Sequence, residues 1–117
     1  MTPEQKPENV VLLARAVMGW RPNADFGAYE DGSIAVFSVG GVSRRWDPYT
    51  SIADAMGMLD RFEWWELKHD GAGYYCTIYG VTKGIGNTYR VARERNYFDS
   101  ICTACLEWAW VQGRGGK

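Results

Sequence analysis

Cys102 and Cys105, three residues apart, carry the most chemistry in their spacing of any pair in this sequence. A Cys-x-x-Cys pair does redox work when its first thiol stands at a helix N-terminus, where the helix dipole lowers the thiol pKa. Here Cys102 falls about a turn and a half inside an apolar helical stretch, among Ile101, Ala104 and Leu106. With Cys76 and His69 the pair would compose a Cys3His zinc set, but those ligands come from separate elements and share a single short spacing. Small core residues are the simpler reading of the thiols. His69 is the only histidine. As a catalytic base it would need a Ser or Cys beside it and a carboxylate to orient it. Its setting, between Lys68 and Asp70 at the edge of a Gly-containing turn, is that of a solvated residue. Without a triad, a carboxylate pair or a metal cluster, the sequence reads as a binding protein, with no catalytic residue, metal or cofactor.

The residues suited to holding a ligand or partner form four groups. Arg44, Arg45 and Trp46 are consecutive, and Tyr89, Arg90 and Arg93 lie together on a later strand. A planar guanidinium grips phosphate and a ring face stacks on a base, so Arg with an aromatic is the chemistry of a nucleotide site. Glu63, Glu66 and Glu94 are at hand to neutralise the same arginines on a solvated sheet face. Lys83 sits within Gly80–Asn87, whose glycines and lysine resemble an anion cradle. A strand follows that segment where a phosphate loop requires a helix, so a flexible hairpin loop is expected. Trp64 and Trp65 are adjacent, and neighbours on a strand point to opposite faces. If one sheet face is open, one of these rings is exposed, and exposed Trp is typical of binding hot spots.

Charge limits the partners. Thirteen basic and 14 acidic residues leave a net charge of −1, without the basic excess that drives binding to nucleic acid or anionic membrane. Three cysteines without an apolar leader, and no run long enough to span a bilayer, predict a cytosolic chain with free thiols. Its 117 residues, 46 % hydrophobic, suit one domain over 1–117, with loose ends at about 1–6 and 113–117. An aromatic share of 15 % makes a partly exposed aromatic surface plausible.

Elements follow from periodicity. A first helix is expected over Pro7–Met18, with Val10, Leu13, Ala14 and Val17 as its stripe and Gly19 as its left-handed stop. A strand near Phe26–Tyr29 precedes strands at Ser33–Val39 and Val42–Trp46. Ser51 caps a second helix whose stripe reads Ile52, Ala55, Met56 and Leu59. Strands at Glu63–Asp70, Tyr74–Tyr79 and Thr88–Arg95 follow, and Asn96 caps a last helix over Tyr97–Gln112, ended by Gly113. The fold class is α+β, in the order α-β-β-α-β-β-β-α. It has three helices and a mostly antiparallel sheet of five to six strands, sandwich-like in α/β/α layers.

Three segments together resemble the phage ABA sandwich domain, a family of small bacteriophage and prophage proteins. They are Ala16-Val17-Met18-Gly19-Trp20, the Trp46-Asp47-Pro48 turn leading into Ser51–Met56, and Ile101-Cys102-Thr103-Ala104-Cys105-Leu106. The resemblance implies a three-layer fold, a phage origin and no catalytic residues. By analogy it implies a cytoplasmic protein of an infected bacterium that sequesters a host protein, such as a defence component, or a nucleotide signal. Homo-oligomers fit such a role.

Overall fold

A computed structural model describes residues 5–37, 43–82 and 85–115. Their order is α1 (Gln5–Ala16), β1 (Phe26–Ala28), β2 (Ile34–Phe37), β3 (Ser43–Trp46), α2 (Ile52–Leu59), β4 (Trp64–Asp70), β5 (Gly73–Thr82), β6 (Ile85–Glu94) and α3 (Tyr97–Gly115). The α+β class, the three helices and the antiparallel pairing are as the sequence predicts. The strands, however, divide into two three-stranded sheets, β1-β2-β3 and β4-β5-β6.

Local signals explain most element ends. Ser51 Oγ accepts the Asp54 N–H at 3.3 Å, capping α2, and Asn96 Oδ1 accepts the Asp99 N–H at 2.8 Å, capping α3. Gly19 takes φ +75°, and the Trp20 N–H closes on the Ala14 carbonyl at 3.0 Å. That turn delivers Trp20 edge-on to Trp46, with ring centroids 5.2 Å apart.

Several boundaries differ from expectation. α1 begins at Gln5, and Lys6 is no part of a loose end: its ammonium pairs with Asp47 at 2.7 Å. α3 runs past Gly113 to Gly115. In α2 the buried residues are Ala55, Met58 and Leu59, while Ile52 is exposed. The expected Gly80–Asn87 loop is largely ladder, because Gly80 pairs with Asn87, Val81 with Gly86 and Thr82 with Ile85.

One core joins all layers. Val10, Leu13 and Ala14 of α1, Met58 and Leu59 of α2, and Ile101, Cys102 and Cys105 of α3 meet Phe26, Ile34 and Trp46 of the smaller sheet and Cys76 and Ile78 of the larger. α3 lies across β5 and β6, and α1 and α2 pack on α3. No helix among the described residues is long and apolar enough to cross a membrane.

Candidate binding surface

Alternation sorts the larger sheet into two rows. In the register, Trp65 faces Ile78 and Tyr89, and Leu67 faces Cys76. This row meets α3: Cys76 and Ile78 are fully buried, and Trp65, Leu67 and Tyr89 pack on the core. In the opposite row Trp64 pairs with Tyr79, which pairs in turn with Thr88, while Glu66 pairs with Thr77 and Lys68 with Tyr75. None of these residues is buried. The face away from α3 is therefore open, and Trp64 stands on it 50 % exposed.

Tyr79, opposite Trp64 in the ladder, finds room for its ring through a missing side chain. Its ring lies where a Cβ of Gly86 would stand. Glycine in a strand often marks such a close approach. Thr77 and Tyr75 continue the row, flanked by Glu66 and Lys68. Trp64, Tyr79 and Tyr75 thus share one face with charges of both signs, the composition of a protein-recognition surface.

The structure separates the predicted site residues. Trp46 is a correction: it is 1 % exposed and packed on Trp20, because alternation points it inward while Arg45 points out. Trp65 and Tyr89 are likewise turned to the core, so neither presents its ring on the open face. Arg44 Nη1 meets Asp54 Oδ1 at 3.2 Å, and Arg45 Nη1 lies 3.6 Å from Asp31 Oδ2. Their partners are these aspartates rather than Glu63, Glu66 or Glu94. Arg90 lies opposite Thr77 in the ladder, Arg93 is in β6, and of both only the backbone is described. Lys83 lies outside the described residues.

Sequence reasoning missed a second aromatic site. The Arg45 guanidinium sits 5.1 Å from the Tyr29 ring centroid, on the outward face of β1-β2-β3. Phe37 packs over Gly27 on that face, and both rings are about half exposed. The signal for it was the alternation of β2 and β3, which places Arg45 beside Tyr29 rather than Trp46. Two hydrogen bonds from Ser33 hold the exposed Asp31 carboxyl below its ordinary pKa, aided by Arg45.

The thiols and the histidine do not converge on a site. Cys76, Cys102 and Cys105 are fully buried. Burial pushes the Cys76 thiol up to about 12 and raises Cys102 and Cys105 well above the ordinary thiol value. The Cys102 thiol donates to the Pro48 carbonyl at 3.5 Å. His69 is exposed and stacks on Tyr74, with ring centroids 4.2 Å apart. Among the described residues no group of three or more His, Cys, Asp or Glu could hold a metal ion.

A shallow cleft of about 200 Å³ runs between α1 and α3, lined by Asn9, Leu12, Thr103, Leu106, Glu107 and Trp110. No protein-family model, curated protein or solved structure matches the chain.

Proposed function

We propose that this protein works by binding, holding a partner protein on the open face of β4-β5-β6. One observation carries the reading: Trp64 is half exposed on the face of the sheet turned away from α3, opposite Tyr79 in the ladder, whose ring lies over Gly86. A solvated Trp on a regular strand exposes apolar surface that a partner would remove from water. The burial of all three thiols, which keeps them protonated and inert, accords with a protein that does no covalent chemistry.

On the resemblance to the phage ABA sandwich domain, the partner is a host factor in the bacterial cytoplasm, a defence component among the options. The protein then acts by stoichiometric blockade. A nucleotide-holding reading rests on Arg45 beside the Tyr29 ring, but the wide open sheet face bearing Trp64 favours a protein partner. Co-purification from host lysate tests the proposal. A partner retained by the wild type and by Trp110→Ala, but lost with a folded Trp64→Ala, supports it. Equal retention by Trp64→Ala contradicts it.

A further inference from the structure

β4 is an edge strand. It pairs with β5 on one side and, among the described residues, with no strand on the other. β5 is the one described element with which it makes extensive contact, since α3 lies over β5 and β6. Such an edge presents a row of backbone N–H and C=O groups ready to pair with another chain. Trp65 and Leu67, on the α3 side of β4, are consequently only half-buried.

We infer that β4 pairs antiparallel with β4 of a second copy of this chain, about a twofold axis through Leu67. The two larger sheets would then join into one six-stranded sheet, three strands from each copy. The sequence Trp64-Trp65-Glu66-Leu67-Lys68-His69-Asp70 is the reason. A twofold axis perpendicular to the sheet keeps each face on its own side, so it must pass through a residue, and each residue meets one of like face. Centring on Leu67 overlaps all seven residues of the strand. It sets Glu66 opposite the partner's Lys68, twice by symmetry.

The neighbouring centrings are repulsive. An axis through Glu66 opposes that carboxylate to its own copy. An axis through Lys68 opposes two ammonium groups and places Glu66 against Asp70. Like charges directly opposite destabilise a ladder, and opposite charges stabilise it. Lysine on a sheet edge ordinarily discourages pairing. Here Glu66 turns the same charge into an attraction in one register alone.

The other face agrees. Leu67 would meet its own copy and Trp65 would meet the partner's His69, covering apolar surface that α3 leaves half open. The two α3 helices lie over β5 and β6, away from the axis, and do not compete for that space. The open face stays solvated, with one Trp64 from each copy displayed on a single continuous sheet.

Light scattering on the full chain tests this. The wild type is expected to approach twice the 13.2 kDa chain mass as concentration rises. Glu66→Lys and Lys68→Glu each oppose like charges in the Leu67 register, and each alone should weaken association roughly tenfold or more. An equimolar mixture of the two variants restores opposite charges across the axis and should return to the dimer mass. A wild type of one-chain mass at every concentration overturns the inference. A dimer indifferent to both substitutions, or a mixture that stays monomeric, overturns it equally.

Discussion

The Cys102 sulfur donates to the Pro48 carbonyl oxygen at 3.5 Å, tying the middle of α3 to the turn that opens α2. Two residues earlier in that turn, Trp46 packs edge-on against Trp20, just past the Gly19 turn that follows α1. The turn itself is held by Asp47 and Asp54. Asp47 Oδ1 accepts the Tyr49 N–H at 3.0 Å, and Asp54 Oδ2 accepts the Asp47 N–H at 2.9 Å. The Trp46-Asp47-Pro48 segment is thus in contact with both other segments that stand out by their motifs. Cys102→Ala removes a buried donor and a buried sulfur, and should lower unfolding free energy by about 1–3 kcal/mol. Urea denaturation would read this as a lower midpoint at unchanged slope.

Buried thiols also set an alkaline limit. In the folded protein Cys76 is held up to about 12, and Cys102 and Cys105 also lie well above the ordinary thiol value of 9.0. The unfolded chain, with normal thiols, ionises first as pH rises. The stabilisation is therefore whole below about pH 9 and is lost as pH climbs toward 12. Thermal unfolding should show Tm falling across that window, with a smaller fall in Cys76→Ala. A thiol-alkylating reagent at neutral pH should label none of the three cysteines until denaturant is added.

At acid pH the β4–β5 hairpin responds in the opposite sense. Asp70 Oδ1 accepts the Ala72 N–H at 2.8 Å and the Tyr75 hydroxyl at 3.2 Å. The backbone bond to Ala72 is the larger cause of a carboxyl pKa held below its ordinary 3.8. Its contribution is present above that value and is lost as pH falls below it. The residue is solvent-exposed, so the effect is local. Amide hydrogen exchange at Ala72 and Gly73 should accelerate in Asp70→Ala, with the core amides of α3 unaffected.

Glycines in the larger sheet give the sharpest mutational contrast. A Cβ on Gly80 would stand 2.9 Å from Trp108 Nε1 and 3.3 Å from Phe62 Cδ1, in a packed interior. Gly80→Ala should cost about 1–3 kcal/mol through overpacking. A Cβ on Gly86 instead meets the Tyr79 ring on the open face, and that ring can swing toward solvent. Gly86→Ala should therefore weaken partner binding more than it lowers Tm. Calorimetry and affinity measured on the same two variants would check the contrast.

Those glycines also show where sequence and structure part. Gly80–Asn87 has the composition of a loop, yet the rings of Trp108 and Tyr79, distant in sequence or across the hairpin, occupy the space that side chains would fill. Tertiary contact overrides local propensity there. The caps at Ser51 and Asn96 and the turn at Gly71 were legible because their signals are local. The division into two sheets was not, since it depends on which strands meet at long range. Alternation made it legible that Trp64 and Trp65 face opposite ways, but which ring stands in solvent depended on the face that α3 covers. Arg44-Arg45-Trp46 misled as a cluster because consecutive strand residues do not share a face. The pairing of Arg45 with Tyr29 needed the β1-β2-β3 register.

The most direct measurement is site-specific photocrosslinking to whatever partner co-purifies. A photoreactive residue is placed at Thr77, in the row of Trp64, Tyr79 and Tyr75, or at Thr103 in the cleft between α1 and α3. The account predicts a covalent adduct from position 77 and none from position 103. An adduct from position 103 with none from position 77 would move the binding surface off the open sheet face and contradict the account.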